Sequence, residues 1–210
     1  AALNFMPILL SLTLFVLTRW ITHTVFETQH SNPSWFIPVV GNILVPLAAV
    51  DHGLLEVAWF FFSVGLVFWL VLQTIVLNRV IFHHPLPAKL VPTFFILMAP
   101  PAVGFLAYVK LTGTVDGFAR VLFYTALFTA MLLLALARNF VGIKFFLSWW
   151  AYSFPVAAMT IATMVMHRMT GLPLFAGIAW LLLALLTTII ALLVVRTARA
   201  IAAGEICVED

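Results

Sequence analysis

The chain has 210 residues, of which 65% are hydrophobic and only 8% are charged, and its mean hydropathy is +1.20. Soluble domains carry about 25% charged residues, so the composition excludes a soluble fold and predicts an all-α integral membrane protein with several spans. The formal net charge of +3 comes from 10 Lys and Arg residues against 7 Asp and Glu, and so few charges indicate membrane orientation rather than a nucleic-acid partner.

Seven apolar runs, the second of them short, predict membrane-spanning helices. In chain order, the predicted spans are residues 5–25, 36–50, 54–78, 90–109, 118–137, 145–166 and 174–197. The connections are short, so consecutive spans should be antiparallel neighbours in one transmembrane bundle of residues 1–198, followed by a polar tail of residues 199–210. The chain begins at Ala1 without a basic leader segment, so we expect no signal peptide and a start that lies within a longer protein or has been processed.

Prolines divide the predicted spans into two alternating groups. The second, fourth and sixth spans contain Pro38, Pro46, Pro92, Pro100, Pro101 and Pro155. The third, fifth and seventh have none inside, since Pro173 stands at the start of the seventh, where proline is tolerated. A proline bends a membrane helix and frees a carbonyl that another helix, a hydroxyl group or water must satisfy. We therefore expect bent spans around a central pore and straight spans outside; alternatively, prolines are simply common in transmembrane helices.

The sixth span combines a mid-span proline with small and hydroxyl-bearing residues. Phe154 directly precedes Pro155, so its ring is a candidate plug of the pore, and ordinary core packing is the alternative. Candidates to line the pore are Asn42, Pro46, Pro100, Ser153, Pro155, Thr160 and Thr163. A threonine such as Thr163 can equally bond a carbonyl of its own helix, and the amide of Asn42 can equally bond a neighbouring helix.

The basic residues are distributed unequally between the two sets of span ends. One set carries seven of them: Arg19, Arg79, Lys89, Arg138, Lys144, Arg196 and Arg199. The other set carries Lys110, Arg120 and Arg168. Because cytoplasmic loops are enriched in Lys and Arg, this difference predicts a cytoplasmic C-terminus and, with seven spans, places residue 1 on the outer side.

The acidic residues indicate which ions such a pore would pass. No Asp or Glu falls in the middle of a predicted span, whereas cation pathways usually contain buried carboxylates or acidic rings. Anions need no charged site, because interrupted helices and helix N-termini present unpaired N–H groups. The excess of basic residues at the cytoplasmic end would also attract anions. By elimination, the sequence favours anions.

Motifs for enzymatic or redox chemistry are missing from the sequence. The histidines lie at span ends or in loops, which does not suit a haem held between facing helices: His23, His30, His52, His83, His84 and His167. Cys207 is the single cysteine and offers neither a disulfide nor a thiolate metal site. There is no G-x-S-x-G, H-E-x-x-H or glycine-rich phosphate loop. We therefore expect no enzyme, no metal and no cofactor.

Three stretches resemble one known family of membrane proteins. Residues 142–155, GIKFFLSWWAYSFP, resemble the penultimate helix of the tellurite-resistance/dicarboxylate transporter family, which includes the bacterial TehA proteins and the slow-type anion channels of plant guard cells. Residues 31–42 resemble the start of its fifth helix, and residues 90–101 are similar to its seventh. The resemblance covers nearly the whole chain, from the fourth helix of the family to the tenth.

The resemblance implies a particular architecture and gate. The family fold has ten helices arranged as five hairpins, with the odd-numbered helices around a central pore and three protomers that each have their own pore. It also implies that the phenylalanine at the position of Phe154 blocks the pore at mid-membrane. The first three helices of the family have no counterpart here, so this chain alone should not close a pore.

Residue patterns and resemblance together predict a protein that passes small anions across the plasma membrane or the bacterial inner membrane, most simply chloride or nitrate. One alternative is a carrier or exporter of C4-dicarboxylates or oxyanions such as malate, sulfite or tellurite. An alternative of another class is a membrane anchor or scaffold subunit that transports nothing. The expected partners are the anions, the lipid bilayer and, from the resemblance, two further copies in a homotrimer.

Overall fold

The computed structural model describes residues 2–22, 26–140 and 142–204. In these residues every regular element is an α-helix or a 3-10 helix, and no strand occurs, which confirms the predicted all-α integral membrane class. The end of the first predicted span, with His23, and most of the predicted tail, with Cys207, lie outside the described residues.

Seven helical segments in the described residues are long and apolar enough to cross a membrane. They are Phe5–Thr22, Pro33–His52, Leu55–Phe82, Ala88–Thr112, Gly117–Ala135, Leu147–Thr170 and Pro173–Ala202; we call them the first to the seventh span. Most of these spans are longer than the apolar runs predicted from the sequence, because the backbone hydrogen bonds of a helix can continue into the less apolar residues that flank the run. The seventh, for example, runs four residues into the part predicted as a polar tail.

Four of the spans are formed by a single α-helix each. They are α1 (Ala2–Thr22), which contains Pro7, α4 (Leu55–Phe82), α6 (Gly117–Ala135) and α8 (Pro173–Ala202). The side chain of Asp116 caps α6 by accepting a hydrogen bond from the Ala119 N–H. These continuous helices are the first, third, fifth and seventh spans.

The second, fourth and sixth spans are interrupted: each changes between 3-10 and α-helix, and we call them the interrupted spans. The second comprises a 3-10 turn (Pro33–Trp35), α2 (Phe36–Val40), a 3-10 segment (Gly41–Leu44), α3 (Pro46–Ala49) and a last 3-10 turn (Val50–His52). The fourth is a 3-10 helix (Ala88–Met98) followed by α5 (Ala99–Thr112). The sixth is a 3-10 helix (Leu147–Tyr152) followed by α7 (Ser153–Thr170).

The prolines occupy positions different from the mid-helix kinks expected from the sequence. Pro46 begins α3, Pro100 is the second residue of α5 and Pro155 is the third residue of α7. In a first helical turn the missing N–H costs nothing, because those donors have no partner inside the helix. Pro46, Pro100 and Pro155 therefore mark where a 3-10 stretch gives way to an α-helix, whereas Pro92 lies inside the 3-10 helix Ala88–Met98.

The interrupted spans form the interior of the bundle. Buried residues make up 50%, 67% and 44% of the apolar stretches of the second, fourth and sixth spans. In the first, third, fifth and seventh spans they make up only 17%, 33%, 28% and 11%. The largest buried cluster accordingly contains Ile43 of the second span, Phe105 of the fourth and Met159 of the sixth, packed against Phe123 of α6. The three interrupted spans lie inside, and most of the continuous helices, including α1 with its Pro7, lie outside.

Polar contacts join the span ends in two groups, as an antiparallel arrangement requires. At one end, Arg79 donates to the Ser31 carbonyl at 2.7 Å, and the Ser148 hydroxyl donates to the Lys89 carbonyl at 2.5 Å. At the same end, the Trp150 indole donates to the Thr197 hydroxyl at 3.1 Å. At the opposite end, Lys110 and Asp51 form an ion pair at 2.5 Å.

Candidate functional site

A cavity of about 500 Å³ lies among the interrupted spans. All of the described residues that line it belong to these three spans. The second span contributes Ile37, Val40, Gly41 and Leu44, the fourth Ile96, Ala99, Pro100 and Val103, and the sixth Trp150, Ala151, Phe154 and Pro155, among others. The wall is almost entirely apolar, and no charged residue is among the described residues that form it.

Phe154 lies on the wall of this cavity. It is the second residue of α7, directly after the change from 3-10 to α-helix, and half of its surface (50%) is exposed. Pro155 and Pro100 also line the cavity but are buried. Of the eight residues predicted for the pore, these three are brought together here.

Hydroxyl groups of all three interrupted spans line the cavity near the starts of those spans. They belong to Ser34, Thr93 and Ser148. Thr93 donates to the Leu90 carbonyl at 2.6 Å and Ser148 to the Lys89 carbonyl at 2.5 Å. The hydroxyls of Thr93 and Ser148 thus satisfy backbone carbonyls, while their oxygens keep accepting capacity.

Asn42 lies away from the cavity, in the contact between α1 and the second span. Its side chain is fully buried, and its amide donates to the Thr13 hydroxyl at 2.8 Å and to the Val39 carbonyl at 2.6 Å. The single proton of the Thr13 hydroxyl is in turn shared between two carbonyls within hydrogen-bond distance, those of Leu9 at 2.8 Å and Pro38 at 3.0 Å. The sequence left open whether this amide lines the pore or bonds a neighbouring helix, and in the structure it forms the interhelical bond to Thr13.

The remaining four candidates are also absent from the described wall of this cavity. The hydroxyls of Ser153, Thr160 and Thr163 donate to carbonyls three or four residues earlier in their own span, at 2.7, 2.7 and 2.8 Å. Thr160, Thr163 and Pro46 are buried. Both threonine hydroxyls therefore bond carbonyls of their own helix. For Thr163 this is the alternative to pore lining that the sequence left open.

Sequence reasoning missed most of the cavity wall, which consists of aliphatic residues such as Ile37, Leu44 and Ile96. An aliphatic side chain that faces an apolar cavity looks the same in sequence as one that faces lipid. The available signal was position, because these residues lie on the proline-containing spans. It also missed Gly41, which lines the cavity as the first residue of the 3-10 segment.

The described acidic residues lie at the ends of the helices. Asp116 accepts hydrogen bonds from the Ala119 N–H at 2.9 Å and from the Tyr108 hydroxyl at 2.7 Å. These bonds stabilise the ionised carboxylate, the backbone bond most, and lower the pKa of Asp116 below its ordinary value. Glu27 precedes a 3-10 turn, and Glu56 lies in the first turn of α4. In the described part of the chain, no group of three or more His, Cys, Asp or Glu could hold a metal ion.

Comparison with known proteins places this arrangement in a family. The family model described as SLAC1, voltage-dependent anion channel, matches residues 4–198, which include all three interrupted spans and the cavity between them. The chain belongs to the voltage-dependent anion channel family. This membership confirms the family resemblance seen in the sequence and makes the chain a multi-pass membrane protein of an anion channel and transporter family.

Individual members of the voltage-dependent anion channel family match parts of the chain. The S-type anion channel SLAH3 of Arabidopsis thaliana is 39% identical over 133 residues, which are 63% of this chain and 21% of SLAH3. The S-type anion channel SLAH1 of the same plant is 33% identical over 155 residues, 72% of this chain and 40% of SLAH1. The tellurite resistance protein TehA homolog of Haemophilus influenzae is 27% identical over 157 residues, 72% of this chain and 48% of that protein. The chain thus spans about a fifth to a half of the length of these relatives.

Proposed function

We propose that the cavity between the interrupted spans is part of a conduit for small anions, with chloride and nitrate as the first choice. The observation that carries the proposal is that every described residue of the cavity wall comes from the three interrupted spans. A continuous helix satisfies its own backbone, whereas irregular backbone at membrane depth is tolerated where it is buried in protein or lines a cavity. Membership of the voltage-dependent anion channel family supports the same assignment.

The charges of the molecule support anions as the permeating species. The described cavity wall contains no carboxylate that would attract a cation, and the described acidic residues lie at helix ends. Each interrupted span adds helix starts at membrane depth, and N–H groups that lack partners inside the helix give such starts a partial positive charge. The larger number of basic residues at one set of span ends would concentrate anions there.

Within this proposal, Phe154 is the gate. An aromatic ring across a narrow apolar passage excludes water, and an ion that must lose its hydration shell meets a high barrier. The cavity wall around Phe154 is apolar enough for this mechanism. Half of the surface of Phe154 is exposed, so the residue is not locked by packing within the chain.

Replacement of Phe154 by alanine tests both the gate and the conduit. We expect Phe154→Ala to raise anion flux in liposomes that contain the full-length protein, because the obstacle to hydrated ions is gone. Phe60→Ala is the matched control: Phe60 is 51% exposed on the continuous helix α4 and is not among the residues that line the cavity. Equal flux from Phe154→Ala and the parent protein, in single-channel or stopped-flow recordings, would argue against the gate.

Two alternatives differ from this proposal in measurable ways. The similarity to the TehA homolog favours, as second candidate, a carrier or exporter of oxyanions or C4-dicarboxylates such as malate, sulfite or tellurite. A carrier would give saturable flux that responds to a proton gradient. A scaffold subunit would give no flux and would copurify with a catalytic partner.

We further propose the assembly and placement that the family resemblance and the charges imply. The full protein would form a homotrimer with one pore per protomer, in the plasma membrane or the bacterial inner membrane, with the C-terminus in the cytoplasm. Helices beyond those of this chain would complete the wall of the pore. Mass determination of the purified protein in detergent measures the number of copies directly.

A further inference from the structure

A glycine on a continuous helix lets that helix contact the backbone of an interrupted span. Gly65 of α4 faces the 3-10 segment Gly41–Leu44 of the second span. A Cβ atom on Gly65 would lie 2.6 Å from the Ile43 nitrogen, 2.8 Å from its Cβ and 3.0 Å from its Cα. These atoms belong to the backbone or are attached directly to it, so they cannot move aside by a change of rotamer.

The same segment is held from two other directions. The side chain of Ile43 extends to α5, where its Cδ1 lies 3.1 Å from the position that a Cβ on Gly104 would occupy. Its neighbour Asn42 is hydrogen-bonded to Thr13 of α1 at 2.8 Å. Ile43 is 2% exposed and also contributes to the cavity wall, so it is packed against α4 and α5 on its other sides. Gly41–Leu44 is thus fixed between α1, α4 and α5.

The position of this segment determines where part of the cavity wall lies. Val40, Gly41 and Leu44 line the cavity, and they belong to the segment or directly precede it. Protein interiors are close-packed and respond to an added methyl group by shifting. With α4 as the outer support, a methyl group on Gly65 would displace the segment away from α4, towards α5 and the cavity.

We propose that Gly65 is a positioning residue that sets the width of the cavity and, through it, the largest anion that passes. The proposal rests on the proposed function, because width governs selection only if the cavity is a conduit. Gly65 itself touches no ion. It acts through the backbone of Ile43 on the wall formed by Val40, Gly41 and Leu44.

The test compares anions of different size in the full-length protein. We expect Gly65→Ala to lower the permeability to a large anion such as gluconate, relative to chloride, severalfold. The ratio matters because partial misfolding lowers both fluxes equally and leaves their ratio unchanged. Gly177→Ala is the matched control, since Gly177 lies on the continuous helix α8, is exposed and has no atom within 4 Å of its added Cβ. An unchanged ratio in monodisperse Gly65→Ala protein would overturn the proposal.

A second variant keeps the proposal testable if Gly65→Ala fails to fold. Leu44→Ala trims the wall at an exposed residue of the same segment and should shift the ratio in the opposite direction, towards the large anion. If Leu44→Ala leaves the ratio unchanged, the segment does not limit passage and the proposal fails.

A third measurement does not depend on ion conduction. With Cys207 replaced by serine, Leu44→Cys places a thiol on the cavity wall, and its rates of modification by a small and a bulky methanethiosulfonate reagent are compared. Gly65→Ala should slow the bulky reagent more than the small one. If the parent protein passes no anions but this difference is found, the proposed function fails while the positioning role of Gly65 stands. Equal slowing of both reagents would contradict that role.

Discussion

Asn42 and Thr13 illustrate how single polar residues are used in this bundle. An amide in a membrane span suggests contact with a transported ion, but the amide of Asn42 donates to Thr13 and to the Val39 carbonyl. Val39 is the next-to-last residue of α2, just before the change to the 3-10 segment, where regular backbone bonding is lost. The pair therefore stabilises the interruption of the second span and ties it to α1.

Removing the hydroxyl of Thr13 should weaken this contact. We expect Thr13→Val to lower the free energy of unfolding by about 1 kcal/mol, the typical size of an interhelical hydrogen bond in membranes. Thr74→Val is the control, since Thr74 is exposed on α4 and its hydroxyl bonds only the Leu70 carbonyl of its own helix, at 2.9 Å. The free energies of unfolding of both variants are measured in detergent, by heat or by a denaturing detergent. If Thr13→Val and Thr74→Val lower the free energy of unfolding equally, the interhelical bond contributes nothing.

At the level of elements, the sequence predicts the existence and type of the spans better than their internal form. Hydropathy marks the seven apolar segments, and internal prolines separate the interrupted spans from the third, fifth and seventh, although the continuous helix α1 also contains Pro7. The 11-residue 3-10 helix Ala88–Met98 is not evident in the sequence, because the choice between α and 3-10 backbone depends on neighbouring elements. The same holds for Gly65, whose role depends on a span that lies next to it only in the folded protein.

The candidate site was predictable in part for a similar reason. Phe154, Pro155 and Pro100 stand out by their positions at helix interruptions, and they line the cavity. Asn42, Thr160 and Thr163 stand out by their polarity, yet their hydrogen bonds are made within the protein. Polarity in a span shows that a group needs a partner, and it does not show which partner.

The start of α6 offers an element whose stability should depend on pH. The pKa of Asp116 is lowered in the folded state, first by the hydrogen bond from the Ala119 N–H. The ionised carboxylate therefore contributes stability above the ordinary pKa of an aspartate, and this contribution is lost as the pH falls through the lowered pKa. Asp116→Asn should abolish this pH dependence while the helix keeps a capping side chain.

Thermal unfolding over an acidic pH series measures this effect for the parent protein and for Asp116→Asn. Tyr108→Phe removes the second bond to the carboxylate and should weaken the pH dependence without abolishing it. If the unfolding temperature changes with pH in the same way for the parent protein and Asp116→Asn, ionisation of the Asp116 carboxylate does not affect the stability of the fold.

At the scale of the whole molecule, the contacts at the span ends agree with an alternation of direction along the chain. Arg79 with Ser31, and Ser148 with Lys89, share one end, while Lys110 with Asp51 lies at the other. The first of these ends belongs to the set with seven basic residues. By the positive-inside rule we therefore propose that this end of the bundle faces the cytoplasm.

Labelling with a membrane-impermeant thiol reagent tests this orientation in sealed vesicles. We expect Cys207 to react only when the cytoplasmic face is exposed. Thr114→Cys, in the connection between α5 and α6, should react only from the other face. Labelling of Cys207 from the outer face would show that the predicted topology is inverted. The basic residues would then concentrate anions at the outer face instead of the cytoplasmic one.

The uncharged wall of the cavity has a kinetic consequence for the proposed conduit. A passage that offers an anion no fixed opposite charge holds it loosely, so each ion has a short dwell time. Occupancy then stays low, release does not limit throughput, and transport rises almost in proportion to the supply of ions. Among ions small enough to enter, the chain would discriminate chiefly by how readily each one sheds its water.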